Sequence, residues 1–489
     1  MRIACVGGGP GGLFFATLAK QADPAAQVTV FERNAPDDTF GFGVVFSDAT
    51  LAAVHDADPV LRDGLREHGT RWDTIEVRLK GEVRRCGGNG MAAISRHTLL
   101  ALLQSRAAQV GVDLRFGTEV GHPEGYDLVV AADGANSRLR SRFAEQFRPT
   151  TDTAAARFIW FGTRYLFDGL TFVHERSPHG AFAVHGYPIS RDASTFLVET
   201  DETTWREAGL DGFDTAQPAG TSDEKSKAYL EALFADQIGG AELLVNNSRW
   251  ANFRTVRTRR WRAGNVVLLG DSAHTAHFSV GSGTKMAMED AVALAAGLAE
   301  HRGDLDAALS AYQDARQPAV AKIQDSARPS LSWWEHFGRY HDAFDPTTFA
   351  FHFLSRSISR GKLARRDPRF VDEVDARWRA RHGADPLETP LDVAGRHLPG
   401  RRVETEALAG ARWITAPDGE DGLAAAFERI DGAALVAVHG GTALTRALLS
   451  EQARLVRGVP SAIVEPDADD DRALTLLLSG RADLIGVAR

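Results

Sequence analysis

The run Gly7-Gly8-Gly9-Pro10-Gly11-Gly12, close to the start of the chain, limits most strongly what this sequence can fold into. It follows directly on Arg2–Val6 (RIACV), a short apolar stretch that reads as a buried parallel strand. Leu13–Ala22 (LFFATLAKQA) then has helical composition. In such a strand–turn–helix, Gly7 permits the tight turn, Gly9 lets the backbone approach a pyrophosphate, and Gly12 lets helix and strand pack closely. The helix N-terminus offers unpaired N–H groups and a positive dipole end to that diphosphate. A second strand, Gln27–Phe31 (QVTVF), ends in Glu32, whose carboxylate is expected to accept hydrogen bonds from an adenosine ribose, with Arg33 beside it. The bland alternative is a glycine-rich turn of some other α/β protein. Strand, helix and acid in register favour a dinucleotide site.

Two later segments narrow the dinucleotide. Tyr126–Ala132 (YDLVVAA) reads as another buried strand and runs into Asp133-Gly134-Ala135-Asn136-Ser137-Arg138. Asn265–Leu269 (NVVLL) ends in Gly270-Asp271, and Gly281-Ser282-Gly283 leads into Lys285–Leu298, again helical in composition. In this order the motifs resemble the single-component flavoprotein aromatic hydroxylases, over roughly residues 1–330. The resemblance implies FAD as cofactor, with Asp271 on its ribityl chain and Gly281 and Gly283 beside the isoalloxazine. It implies Asp133 near both FAD and the nicotinamide coenzyme, and Arg96 and Gln104 as further FAD contacts. The implied fold is α/β, a Rossmann-like FAD-binding domain with an inserted, mostly antiparallel substrate sheet.

Composition agrees. A net charge of −9 argues against a nucleic-acid groove or an anionic membrane surface. No run approaches the roughly eighteen consecutive apolar residues of a membrane span, and the chain begins directly with the nucleotide-binding strand. Cys5 and Cys86 make neither a disulfide framework nor a metal site. A cytoplasmic protein without metal is expected.

The segment His274–Lys285 (HTAHFSVGSGTK) departs from the Pro-Pro common in this family. With Phe40–Ser47 (FGFGVVFS), Phe158–Leu166 (FIWFGTRYL) and Ser194–Glu199 (STFLVE) running on to Trp205, it resembles the subfamily acting on 2-substituted benzoyl-CoA thioesters. That subfamily comprises salicylyl-CoA 5-hydroxylase and 2-aminobenzoyl-CoA monooxygenase/reductase. The implied reaction is NADH- or NADPH-dependent monooxygenation with O2, through a flavin C4a-hydroperoxide, para to the 2-substituent of an aromatic acyl-CoA. Salicylyl-CoA is favoured. 2-Aminobenzoyl-CoA, a free or carrier-bound aromatic acid, a reductase that avoids oxygen, and a non-catalytic ligand-sensing flavoprotein are the alternatives.

Candidate catalytic residues follow from placement. His277 and His274 flank the loop expected to meet the flavin, and imidazole suits proton transfer. For His274 packing at a helix start is the better reading, whereas for His277 function and packing stand level. Lys285 offers positive charge near the flavin pyrimidine, or is a solvated helix residue. The substrate sheet is expected over Phe158–Leu166, Leu170–His174, Gly180–Tyr187 and Ser194–Glu199. On such a strand His185 and Tyr187, at i and i+2, share one face and either contact the ring or are ordinary sheet residues. Two basic groups, the run Arg254–Arg262 and the set Arg356, Arg360, Lys362, Arg365 and Arg366, are solvated surface or attract the phosphates of NAD(P)H or CoA.

The organisation expected is FAD-binding segments at about 1–65, 90–150 and 262–330, and a substrate sheet at about 66–89 and 151–261. A helical extension at 331–385 and a small α/β unit at 386–489 follow. In that last unit Ala434–His439, Ser461–Glu465 and Asp483–Val487 read as strands alternating with helices at 444–456 and 471–480. Gly440–Gln452 and Leu478–Arg489 resemble late parts of an old-yellow-enzyme barrel. Roughly a hundred residues remain where a complete barrel needs about 250. A degenerate remnant that binds no FMN is expected; the alternative is an unrelated unit serving homodimer contacts.

Overall fold

A computed structural model describes every residue except 40, 48–55, 215, 219, 279, 280, 282, 488 and 489. The sequence readings on Phe40, Ser279, Val280 and Ser282 lie outside the described residues. The chain divides into two compact units, one of residues 1–73 and 89–335, the other of 74–88 and 336–489.

In the first unit the apolar runs form a sheet in the order Arg262–Ala263, Val266–Leu268, Leu128–Ala131, Arg2–Val6, Gln27–Phe31, Asp113–Arg115. All neighbours are parallel except the first pair. Arg2–Val6 and Gln27–Phe31 are buried save for their first residues, and Leu128–Ala131 and Val266–Leu268 throughout, because helices pack against the sheet. The helix Pro10–Ala22 begins three residues before the apolar run that announces it, with proline in its first turn. It packs against the helices Arg96–Gln109 and Gly283–Glu300.

A second, antiparallel sheet of this unit runs through Leu243–Leu244, Pro149–Thr163, Ser194–Thr200, Gly180–Pro188 and Leu170–Ser177, and Ala251–Thr258 also pairs with Pro149–Thr163. Three of these strands run past the C-terminal ends of the segments that predict them, whereas Pro149–Thr163 starts before Phe158–Leu166 and stops short of its end. Gly43–Ser47, Met91–Ser95 and Thr70–Trp72 form a separate three-stranded sheet. Within the stretch 66–89, Thr70–Trp72 belongs to that three-stranded sheet. The hairpin Ile75–Leu79 with Glu82–Cys86 belongs to the second unit, where Arg84 meets Glu373 at 2.9 Å and the Gly87 N–H donates to Asp367 at 2.8 Å.

The rest of the second unit begins with residues 336–343 of the helix Leu305–Ala343, followed by the helices Pro346–Leu354, Arg360–Arg366 and Pro368–His382. Five parallel strands follow in spatial order Arg412–Thr415, Val436–His439, Ser461–Val464, Leu484–Val487, Arg402–Glu404. Four of them neighbour one another in chain order with helices between, the connectivity of successive βα units. Burial of Glu451 is sustained by Tyr340 at 2.5 Å, Arg339 at 2.9 Å and His352 at 3.1 Å.

Candidate active site

A cavity of about 790 Å³ opens in the first unit, and its wall has two chemically different parts. One is backbone and charge: Gly9 to Gly12, Gly134, Gly270, Asp271, Gly281, Gly283 and Arg96. The other is aromatic and comes from the antiparallel sheet and its neighbours: Phe158, Trp160, Phe172, His185, Tyr187, Phe253 and Phe278.

The glycines explain how the first part is built. At Gly7, φ is +112°, and a Cβ there would lie 2.2 Å from the Ala132 carbonyl oxygen. At Gly12 a Cβ would meet the Gly7 carbonyl oxygen at 2.2 Å, so strand and helix touch only because neither residue has a side chain. Gly9 differs, since a Cβ there would meet nothing within 4 Å. It is the N-cap of Pro10–Ala22, with no side-chain cap, and the first turn lines the cavity. An uncapped N-terminus beside open space suits a diphosphate. Glu32 closes the turn, its Oε2 accepting from the Gly8 N–H at 2.7 Å and its Oε1 from the Asn34 N–H at 2.9 Å. Arg33 is exposed and absent from the wall. Gln104 donates to the Pro36 carbonyl at 3.0 Å and is also outside the wall.

Asp133 caps the turn that follows its strand, its Oδ2 accepting from the Arg138 N–H at 2.8 Å. Its Oδ1 is buried without a hydrogen-bond partner among the described residues, leaving an acceptor for a cofactor hydroxyl. Asp271 faces the cavity with protein atoms packed around its other sides. Burial pushes its carboxyl above the ordinary carboxylate range, with His274 and Arg96 pulling the other way. Across the same wall burial pushes the Arg96 guanidinium down, opposed by Asp271. A flavin dinucleotide fits this set: a glycine cradle for its diphosphate, carboxylates for its hydroxyls, and the Arg96 guanidinium.

On the aromatic side, His185 and Tyr187 both reach the wall. Tyr187 donates to the Gly43 carbonyl at 3.3 Å and stacks on Trp72, and burial pushes its phenol up to about 12. His185 lies edge-on to Phe172 with ring centres 4.9 Å apart, and its Nε2 is 2.7 Å from Glu199 Oε2. His277 sits behind the wall rather than in it, 2% exposed, packed on Phe253 and Phe278. Its Nε2 reaches the other oxygen of Glu199 at 3.2 Å. Glu199 thus joins two histidines that lie far apart in sequence, and sequence reasoning missed it. The signal was available: the residue two beyond the cross-strand partner of His185 is Glu199, on the same face of the neighbouring strand.

His274 is held by Asp290 at 2.7 Å, and Asp290 in turn by Arg316 at 2.8 Å, a buried structural cluster. Lys285 lines the cavity, 3.6 Å from Glu289 one helical turn on. Of the first basic run, Arg254 lines the cavity and donates to Asn136, while Arg257 pairs with Asp325 at 2.9 Å and Arg262 with Asp306. Of the second group, Arg360 pairs with Asp375.

A glycine cradle for a dinucleotide and an aromatic pocket on one cavity define a flavin-dependent aromatic monooxygenase, and the chain belongs to the FAD-dependent aromatic hydroxylases. A family described as "FAD binding domain" matches residues 125–327. The chain is 59% identical to a salicyloyl-CoA 5-hydroxylase of a Streptomyces species, with 99% of each chain covered, so the second unit is shared as well. It is 40% identical to the 3-hydroxy-4-methyl-anthranilyl-(aryl-carrier protein) 5-monooxygenase of Streptosporangium sibiricum, over 68% of this chain and 89% of that one. Among solved structures, 2-methyl-3-hydroxypyridine-5-carboxylic acid oxygenase matches with a TM-score of 0.56 at 20% identity, over 73% of this chain and 98% of that one, a likeness of fold. Among the described residues no helix is long and apolar enough to cross a membrane, and no cluster of metal-ligating side chains occurs.

Proposed function

We propose that this enzyme hydroxylates salicyloyl-CoA at C5, para to its 2-hydroxyl, using O2 and NADH or NADPH. The observation that carries the reading is the 59% identity to a salicyloyl-CoA 5-hydroxylase across 99% of both chains. Bound FAD, once reduced by the nicotinamide coenzyme, supplies the activated oxygen. Gly9 to Gly12 would hold its diphosphate and Asp271 its hydroxyls, the buried Asp133 Oδ1 would be a further acceptor, and Gly281 and Gly283 would leave room for its ring on the same wall. Arg96 supplies positive charge beside Asp271, and Lys285 lies on the same wall. The chain's task is to orient C5 toward that oxygen, keep water out, and support negative charge on the 2-substituent. Phe158, Trp160, Phe172 and Phe278 give the pocket its apolar walls, and His185 and Tyr187 its polar points.

A second reading has its own support. The relative from Streptosporangium sibiricum bears a name that places its substrate on an aryl-carrier protein and its chemistry at position 5. On that reading the ring pocket is the same and the thioester handle differs. Comparing kcat/KM for salicyloyl-CoA, 2-aminobenzoyl-CoA, a salicyloyl carrier protein and free salicylate separates them. The proposal expects salicyloyl-CoA to lead free salicylate by at least about a hundredfold, the contribution of a handle bound away from the reacting ring. A carrier thioester turning over faster than the CoA ester selects the second reading. A cytoplasmic location fits a CoA substrate and reduced nicotinamide.

A further inference from the structure

The cavity wall contains one histidine among the described residues, and that histidine is tied through a carboxylate to another just behind the wall. Glu199 is 1% exposed, and its two oxygens reach Nε2 of His185 at 2.7 Å and Nε2 of His277 at 3.2 Å. Burial alone would raise its carboxyl, yet the two imidazoles outweigh burial and hold it below the ordinary carboxylate range. An ionised carboxylate is acceptor-only, so both Nε2 atoms carry hydrogen in this arrangement. That choice fixes the tautomer of each ring and makes Nδ1 the nitrogen that takes on a further proton.

We propose that Glu199 is a positioning residue that holds His185 as the base for the substrate's 2-hydroxyl and stabilises the imidazolium that results, with His277 as the second donor that keeps the carboxylate in place.

This inference rests on the salicyloyl thioester reading. In the step, the phenolic O–H bond breaks, its electron pair stays on oxygen, and the proton passes to His185 Nδ1. The substrate goes from neutral to −1 while the group His185, Glu199 and His277 goes from −1 to neutral, so the dry pocket gains no net charge. A phenolate donates electron density to the para carbon more strongly than a phenol, which is what attack at C5 requires. The other titratable groups of the wall suit other tasks. Tyr187 donates to Gly43, Asp271 lies on the glycine side, and Arg96, Arg254 and Lys285 are cations. Among the described residues the titratable groups facing Glu199 are His185 from the neighbouring strand and His277 from the loop before the helix Gly283–Glu300.

The test titrates salicyloyl-CoA bound to oxidised holoenzyme, following the phenolate by difference absorbance, with steady-state kinetics alongside. Wild type, Glu199→Gln and His185→Gln are compared, each checked for FAD content and melting temperature. The expected result is that the bound phenol ionises about one pH unit or more higher in Glu199→Gln, with kcat down at least about tenfold and KM changed much less. Glu199→Asp is expected to restore part of the loss. His185→Gln keeps a donor for Glu199 but no base, and should show the same shift even if Glu199→Gln does not fold. Wild-type titrations in folded Glu199→Gln or in His185→Gln overturn the inference alone. A wild-type enzyme that neither binds nor hydroxylates salicyloyl-CoA overturns the substrate reading, and the inference with it.

Discussion

Single residues in the nucleotide turn separate folding from cofactor binding. Gly12→Ala would place a methyl 2.2 Å from the Gly7 carbonyl oxygen, against backbone that has nowhere to move. That variant should lose stability by about 1–3 kcal/mol and yield little folded protein, measured by thermal melting. Gly9→Ala meets nothing within 4 Å and has a φ of −74° that alanine accepts. It should melt near wild type in the apo form yet bind FAD at least about tenfold more weakly, a cost of about 1.4 kcal/mol read by flavin fluorescence titration. Asp290 gives a pH-dependent counterpart. Burial pushes its carboxyl up, but His274 and Arg316 outweigh it and hold the group below its ordinary 3.8. A depressed carboxyl stabilises the fold above its unfolded value and loses that contribution as pH falls through the folded one. Wild type should therefore lose melting temperature steeply below about pH 4. Asp290→Asn should begin lower, by about 3–5 kcal/mol, and show a flatter acid limb.

Among the elements, the packing of the small three-stranded sheet on the substrate sheet depends on Gly43. A Cβ there would lie 2.4 Å from Ile189 Cγ2, 2.6 Å from Thr195 Oγ1 and 2.9 Å from Tyr187 Cε2. Gly43→Ala should displace Tyr187, raise KM for the acyl substrate and lower stability by about 1–3 kcal/mol, while FAD content stays near one per chain. Kinetics with a flavin assay checks it. The elements also show what a sequence reveals. The strand–glycine–helix unit at residues 2–22 was legible because only one local conformation satisfies its glycines and its apolar run. The substrate strands were legible as apolar runs but not in register, and register is what brings Glu199 beside His185. For His277 the sequence leaves function and packing level, and the fold places it one layer behind the cavity wall, because Phe253 and Phe278 occupy the wall in front.

For the molecule as a whole, the flavin site is assembled within the first unit, and the second unit carries a five-stranded parallel sheet of its own. The successive βα connectivity of that sheet is compatible with a barrel fragment, and five strands do not close a barrel that requires eight. Flavin released from the holoenzyme by denaturation should therefore be FAD at about one equivalent with no FMN, resolved by chromatography; an equivalent of FMN would assign the second unit a redox role. Legibility at this scale was partial as well. Composition announced an α/β unit after residue 386, and its boundary with the first unit depends on contacts that a linear pattern does not encode.

The measurement that bears most directly on the central claim is a single turnover of reduced holoenzyme with salicyloyl-CoA under isotopically heavy O2, followed by mass and NMR analysis of the thioester. The account predicts a product heavier by one labelled oxygen atom, bonded at C5, with the CoA ester intact and little free peroxide. Label absent from the ring, oxygen at another carbon, or coenzyme oxidation yielding only peroxide would contradict it.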